Sequence, residues 1–451
     1  MKQSLILFCI LVAILASSAQ DKNFDLSKYK FPDYKRHELE LNFNSDGYGR
    51  KNKTESPEYL NNGVNSTYVS SFYNAHSNAV LSYNYYLLNR KRIDFLHSSV
   101  SGNYDYSSST NINQKLKDIS QSFELSLNGS RTFYLTENKI FLEGMADLSF
   151  YQGNSRNKVD NQMKTKYLST DLNLAAGVGV GTGRMELVSD LWQAHYILEK
   201  LKKEKLLLKE LTNENVYEFA YLASRLKNIR FFDARIRKIT ELQSLDSLLR
   251  IQGLIVDSDI RYFTLLNDYW SYGNFPDRKS GRVLKFWISP EYARMYNKTS
   301  GNNSLISYKT SLNSNVSFNC SRQLNIYWER RVNVSLTYES VLDRSGSFYN
   351  SYPDNNVNPN INLGYSFFPD SRTSISGYLG YNGQNIFVSN ATTEMPNLWR
   401  NSIYLDINGY YYLSPQLQIT GSFRISYSDK GYKSTNDLYN QYNLGLRYAI
   451  F

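Results

Sequence analysis

The chain has 451 residues and a formal net charge of +10, yet its Lys and Arg are spread along it with no basic tract beyond Lys200-Leu201-Lys202-Lys203, a run typical of a solvated helix face, which excludes nucleic acid as its partner. Only two cysteines, Cys9 and Cys320, are present, so a disulfide-stapled scaffold is excluded as well. A mean hydropathy of −0.50 combined with 39 Tyr and only 9 Pro suits strands that alternate between an apolar and a polar face, because alternation cancels in any average.

Residues 1–19 read as a secretory signal peptide. Met1-Lys2-Gln3 is a charged start, Leu5 to Ala16 a short apolar core, and Ser17-Ser18-Ala19 an Ala-type cleavage signal. The apolar run falls short of the roughly 20 residues a membrane helix needs, and Cys9 after Phe8 is a poor context for a lipid anchor. Cleavage near Gln20 leaves Cys320 as the only cysteine of an exported chain, so no intramolecular disulfide is available. Residues 20–36 form an N-terminal periplasmic segment.

From 37 to 183 the pattern has period two. Leu39, Leu41 and Phe43 share a parity, as do Phe123, Leu125 and Leu127, then Leu142, Gly144, Ala146, Leu148 and Phe150, then Leu168, Thr170, Leu172, Leu174, Ala176 and Val178. This predicts six strands. At the end of the sixth, Gly177, Gly179, Gly181 and Gly183 alternate. A dinucleotide fingerprint is excluded because the strand is amphipathic and no βαβ unit follows; alternate glycines thin one face, letting the strand bend or the next domain approach the wall.

Residues 184–281 change period. Val188, Leu191, His195, Leu198 and Leu201 recur at helical spacing, followed by Val216, Phe219, Ala220 and Ala223, by Ile236, Ile239, Leu242, Leu245, Leu248 and Leu249, and by Ile260, Phe263 and Leu266. Four amphipathic helices with a shared small core are expected, with Thr212 and Asp257 or Ser258 as caps.

From 282 to 451 alternation returns for eight strands. The clearest sets Leu417, Ile419, Gly421, Phe423, Ile425 and Tyr427 against Gln418, Thr420, Ser422, Arg424, Ser426 and Ser428. Short turns at 89–91, 136–138, 321–323, 369–371 and 414–416 alternate with longer polar loops near 50–64, 107–117, 153–165, 297–304, 345–356 and 391–400. The expected fold is an all-β transmembrane antiparallel barrel of about 14 strands with a small α-helical domain inserted at its periplasmic mouth. Strand counting from a periplasmic N-terminus sets the side of the insert.

The leader, the alternating strands and the terminal Tyr448-Ala449-Ile450-Phe451 resemble those of Gram-negative outer-membrane β-barrel proteins. The resemblance implies a cell outer-membrane location and a last strand read by the barrel-assembly machinery. Phe451 is out of phase with Tyr442, Leu444, Leu446, Tyr448 and Ile450, a departure from that family's usual ending.

On the parity assigned to the lumen, Glu40, Glu124, Glu143, Asp147 and Asp171 come from the first six strands, and Lys285, Lys309, Arg331, Arg424 and Arg447 from the later eight, with Glu291, Glu339 and Asp406 as exceptions. Either an acidic wall faces a basic one, setting up a transverse field, or the charges pair across a filled interior. Ser and Asn occupy most other lumen positions, a lining for water and sugars. Trp287, Tyr292, Tyr327, Trp328, Tyr411 and Tyr412 are candidates for interfacial girdles, with Tyr410 and Tyr412 also able to stack on a sugar. The four histidines, His37, His76, His97 and His195, lack metal-ligand spacing, and no metal, cofactor or catalytic set is expected.

The first functional expectation is an outer-membrane channel for small polar solutes or saccharides, restricted by the helical domain. The alternative is a membrane-anchored interaction protein of an envelope secretion or polysaccharide-export complex, its insert meeting an envelope protein or glycan through Arg225, Lys227, Arg235, Arg237 and Lys238. Third is a barrel hydrolase using His76 and His97 beside Ser77 and Ser98.

Overall fold

The computed structural model describes residues 29–56, 66–111, 114–136, 139–160, 162–229, 234–256, 259–271, 278–301, 304–346, 355–387, 398–414, 417–429 and 436–448. The expected leader and Phe451 lie outside these residues. Among the described residues fourteen strands run in chain order: β1 Tyr34–Ser56, β2 Ser66–Leu88, β3 Arg92–Asn111, β4 Gln114–Tyr134, β5 Ile140–Val159, β6 Gln162–Leu187, β7 Lys279–Thr299, β8 Leu305–Gln323, β9 Trp328–Ser345, β10 Asn355–Phe367, β11 Thr373–Phe387, β12 Leu398–Tyr412, β13 Leu417–Asp429 and β14 Asn436–Tyr448. Each pairs antiparallel with the next in a single 14-stranded sheet. β1 and β14 stand at its two ends, and no ladder between them is formed by the described residues.

One face of this meander carries an apolar belt that is uncovered by protein. Leu39 is 63% exposed, Leu41 72%, Phe43 68%, Val178 71% and Leu379 53%. A water-soluble sandwich buries such a face, whereas a membrane wall offers it to lipid and satisfies its backbone through inter-strand ladders. The fold is that of a transmembrane antiparallel barrel interrupted by helices. Among the described residues no helix is long and apolar enough to cross a membrane.

The apolar belt spans about ten residues per strand, the length a tilted strand needs to cross a bilayer. Beyond it the same parity turns polar, at Ser45, Gly47, Gly49 and Lys51 on β1 and at Arg156 and Lys158 on β5. The ladders nevertheless continue, β1 with β2 as far as Ser56 opposite Ser66. The long loops expected at 107–117 and 153–165 are therefore corrected: β3 runs to Asn111 and β4 resumes at Gln114, β5 runs to Val159 and β6 resumes at Gln162. Outside lipid both faces of a hairpin are wet, so alternation vanishes although the hydrogen bonding persists. The turn expected at 321–323 lies three residues later for a related reason, since Ser321 and Gln323 are held in the sheet with only 4% and 2% exposure.

The helical region occupies 188–278, because β6 continues to Leu187 and β7 begins at Lys279. Gly183 (φ +93°) and Gly281 (φ +132°) make this extension possible. A Cβ on either would come 2.1 Å from the carbonyl oxygen of Arg282 or Arg184 on the partner strand. Among the described residues four helices follow: α1 Ser189–Lys203, α2 Asn213–Ile229, α3 Ala234–Ile251 and α4 Ile260–Ser271. Their apolar stripes meet in one core of Leu191, Ile197, Leu198, Leu201, Phe219, Ala220, Leu245, Leu249 and Leu266, each fully buried large side chain contributing about 1.5–3 kcal/mol.

Thr212 caps α2 as expected: its Oγ1 accepts from Asn215 N–H at 3.3 Å while Asn215 Oδ1 accepts from Thr212 N–H at 3.0 Å. Asp257 and Ser258 lie outside the described residues; Asp259 caps α4, its Oδ1 accepting from Tyr262 N–H at 2.7 Å.

Candidate functional site

The short turns 89–91, 135–139, 324–327, 368–372 and 413–416 share one rim of the sheet with the two chain crossings into the helical domain. There the domain is held at several points around the wall. Tyr196 on α1 donates its hydroxyl to the carbonyls of Phe368 at 2.9 Å and Ile326 at 3.1 Å, reaching two separate turns. Asp268 on α4 pairs with Arg372 of the β10–β11 turn at 2.5 Å. At the β1 edge, Tyr29 is 2% exposed within the helical core, its ring stacked on Tyr221 with centroids 5.2 Å apart. Burial pushes the hydroxyls of Tyr29 and Tyr196 upward, the latter to about 12, so both stay neutral.

Arg278 is the centre of this attachment. It is fully buried, its guanidinium 4.5 Å from the ring centroid of Trp192 on α1 and 4.3 Å from that of Phe368 in the β10–β11 turn. It donates to Gln323 Oε1 and the Ile326 carbonyl and faces Glu329, also fully buried, at 3.8 Å. Burial draws its guanidinium down to about 10, which leaves it charged at neutral pH. A planar cation between two aromatic faces is a site only Arg fills well. Glu329 also accepts from Ser321 at 2.7 Å and Arg331 at 2.6 Å, and Arg331 donates to the Tyr378 hydroxyl at 3.3 Å. A polar chain thus runs from the helical domain into the barrel wall.

On the lumen face, cross-strand register puts all ten charged positions named from the sequence on one side of the sheet. Glu143 meets Lys285 at 2.9 Å, Lys309 meets Glu339 at 2.7 Å, and Arg424 meets Asp406 at 2.8 Å. Asp147 accepts from Asn128 at 2.7 Å and Glu40 from Asn42 at 3.0 Å. Glu124 lies opposite Ser101 and Tyr151, Asp171 opposite Tyr151 and Met295, and Arg447 opposite Gln418. Charges on this wall are largely matched by neighbours.

The glycines explain how Glu143 on β5 reaches Lys285 on β7 across an intervening strand. Gly179 and Gly181 of β6 lie between them in register. Their empty space is filled from the sides: a Cβ on Gly181 would come 2.2 Å from Phe141 Cζ, and one on Gly179 2.9 Å from Trp287 Cβ. The atoms nearest both positions belong to β5 and β7. Trp287 therefore belongs to the lumen face and not to a girdle. Tyr411 and Trp328 face outward, Trp328 packing on Phe367 with centroids 4.6 Å apart.

The same joint recurs on β10–β12. Gly364 lies opposite Tyr378, and Gly380 opposite Tyr404. A Cβ on them would fall 2.5 Å and 2.1 Å from those rings. Arg278, Tyr196, Tyr29, Tyr378 and Tyr404 were not singled out from the sequence. The Gly377-Tyr378-Leu379-Gly380 run was a usable signal for the last two, while nothing local marks Arg278 as buried.

His76 meets Asp105 Oδ1 at 2.5 Å and His97 meets Asn84 Oδ1 at 2.7 Å, all four on the lumen face. Ser77 and Ser98, one residue on, point to the opposite face, and Ser77 is bonded there to Ser45 at 2.9 Å. Neither serine can serve the histidine beside it. Of the basic residues on the insert, Lys227 donates to Asp190 at 2.7 Å and lies 5.8 Å from the Trp270 ring centroid, Arg225 is exposed and Lys238 half-buried. The side chains of Arg235 and Arg237 lie outside the described residues. Among the described residues no His, Cys, Asp or Glu cluster has metal-binding geometry.

No protein-family model matches the chain, and no curated protein does. Among solved structures it is similar to the ferric yersiniabactin uptake receptor FyuA from Yersinia pestis, at 7% identity and TM-score 0.38, covering 92% of this chain and 63% of that one. It is similar to the Pseudomonas putida toluene transporter TodX, at 9% identity and TM-score 0.30, covering 96% and 94%. A third likeness is to the transport unit of the autotransporter AIDA-I from Escherichia coli, at 11% identity and TM-score 0.24, covering 95% and 94%. The chain thus spans under two thirds of the receptor's length. At these TM-scores the likenesses carry no inference about function.

Proposed function

We propose that the protein is an outer-membrane channel for small polar solutes or saccharides, its periplasmic mouth restricted by the helical domain. The observation that carries this reading is the breadth of the domain's attachment. It is joined covalently to β6 and β7, through Tyr196 to the β8–β9 and β10–β11 turns, and through Tyr29 to the chain entering β1. A body fixed at such separated points of one rim lies across the opening. A barrel of roughly fourteen strands leaves room for a solute path, and this lumen face is lined by Ser, Asn and matched charges. The reading includes no catalytic step or cofactor, and its partners are outer-membrane lipid and, through the C-terminal strand, the assembly machinery.

The test is conductance of the purified full-length protein in a planar bilayer, compared with a variant in which residues 190–276 are replaced by a short Gly-Ser linker. Current that rises on deletion supports the reading. Silence from both forms, each verified as folded, overturns it.

A second reading, an anchored interaction protein, has one observation in its favour. At the end of the helical domain remote from the rim, Leu208, Ile251, Val256 and Ile260 are 62%, 83%, 61% and 86% exposed. Apolar residues grouped this way on a soluble domain mark a contact surface. Failure of the full-length protein to retain any envelope component after cross-linking would remove this reading.

A further inference from the structure

We propose that the lumen wall of β10–β13 is a binding track for neutral oligosaccharides; this rests on the channel reading and names its cargo class. Tyr378 on β11 lies across Gly364 on β10, and Tyr404 on β12 lies across Gly380 on β11. Both glycines are buried and both rings half-buried. One side of each ring is therefore pressed on a neighbouring strand's backbone, and the ring lies along the wall instead of projecting edge-on into the lumen. A tyrosine lying along a wall offers the apolar C–H face of a sugar a broad partner with little side-chain freedom left to lose; at Tyr404 the Arg424 guanidinium lies over the same ring, 5.1 Å from its centroid, so a sugar there shares the ring with that cation.

The rings are also locked at their hydroxyls. Arg331 donates to Tyr378 at 3.3 Å, and Asn362 Nδ2 donates to Tyr404 at 3.0 Å. Further along β12 on the same face, Tyr410 and Tyr412 form an edge-to-face pair with centroids 5.5 Å apart. From Tyr404 to Tyr412 is eight residues, about 27 Å of wall at 3.4 Å per residue, ending at the rim the helical domain occupies.

The groups between the rings select among ligands. Asn360, Asn382 and Asn408 share this face and offer paired donors and acceptors, the chemistry that hydroxyls need and hydrocarbons reject. The charges beside the rings are compensated, Asp406 by Arg424 at 2.8 Å and Glu329 by Arg331 at 2.6 Å, and Arg400, on the same face, stands at the other end of β12 from Tyr412. The aromatic surfaces, amides and compensated charges around the rings suit a neutral polyol over an anion or a fatty acyl chain.

The experiment is titration calorimetry of the full-length protein in detergent with maltohexaose, cellohexaose and chitohexaose. At least one is expected to bind saturably. Tyr378→Ala and Tyr404→Ala each weaken that binding about five- to tenfold, Tyr378→Phe preserves it because the ring remains, and Tyr381→Ala, which removes an outward-facing tyrosine on the same strand, leaves it unchanged. Folding of every variant is checked by its heat-modifiable migration on gels. No binding of any of the three sugars, or equal weakening by Tyr381→Ala, overturns the track. Bilayer conductance separates the two ideas: current without sugar binding sinks the track alone, and sugar binding without current sinks the channel alone.

Discussion

Two residues in the helical domain make its attachment and its pH response testable. Arg278 and Glu329 are both fully buried, and removing the cation of such a pair leaves a carboxylate without part of its compensation. Arg331 remains on Glu329 at 2.6 Å, so Arg278→Ala is expected at the low end of the range for breaking a buried pair, about 3 kcal/mol. Arg278→Lys recovers little, because an ammonium neither stacks between Trp192 and Phe368 nor forks onto Gln323. Limited proteolysis provides the readout: both variants release the 188–278 region at protease levels the native protein withstands, while the barrel band survives. His195 is lowered from its ordinary value of 6.5 by burial, with Glu199 opposing in the other direction. Above pH 6.5 the imidazole is neutral in folded and unfolded chains alike, so pH has no leverage there. Below 6.5 the unfolded chain takes up a proton that the folded domain resists, and stability falls as pH drops. Protection factors over α1, with the pH dependence of intrinsic exchange divided out, should fall between pH 6.5 and 5, and His195→Gln should flatten that slope; an unchanged slope would show that another group sets it.

At the scale of single strands, what could be read from sequence depended on the solvent each segment meets. Within the membrane belt one face is lipid and the other wet, so Leu39, Leu41 and Phe43 announce β1 by parity alone. Beyond the belt the signal disappears although the ladder continues, which is why 107–117 and 153–165 read as loops. The glycines of β6 were legible as a thinned face, but what fills the thinness was not: Phe141 and Trp287 belong to other strands, and their arrival depends on register that one strand cannot encode. That register makes a sharp prediction. Gly181→Ala puts a Cβ 2.2 Å from Phe141 and 2.7 Å from the Leu284 carbonyl oxygen, whereas a Cβ on Gly144 meets nothing within 4 Å. Overpacking of this kind costs about 1–3 kcal/mol, so Gly181→Ala should lower the temperature at which the folded gel band is lost, and Gly144→Ala should leave it unmoved or raise it. Equal behaviour of the two would mean that β5, β6 and β7 are not in this register.

For the whole molecule, the question is how firmly the helical domain is held to the rim, and the answer is distributed. Sequence periodicity separated the helices from the strands, and counting set them after the sixth strand, but the docking groups lie at 29, 196, 268, 278 and 372, far apart in the chain and each unremarkable locally. Most of the hold is apolar or buried, as at Tyr29, Tyr196 and Arg278. The Asp268–Arg372 pair differs, with both side chains about one third exposed, and an ion pair in that setting contributes about 1 kcal/mol or less. It is therefore the contact that can be altered without unseating the domain or unfolding the wall. On the proposed channel reading, Asp268→Arg, which places two cations together at the β10–β11 turn, should raise the open fraction in bilayer recordings by up to about fivefold, the change that 1 kcal/mol permits. Arg372→Asp should do the same through two carboxylates. Combined, the two substitutions restore an opposite-charge pair and should return the open fraction to the native level, and high salt should shrink all three effects because the pair is partly in water. An open fraction that stays raised in the double variant would mean that the substitutions act on the turn itself and not on the domain that rests against it.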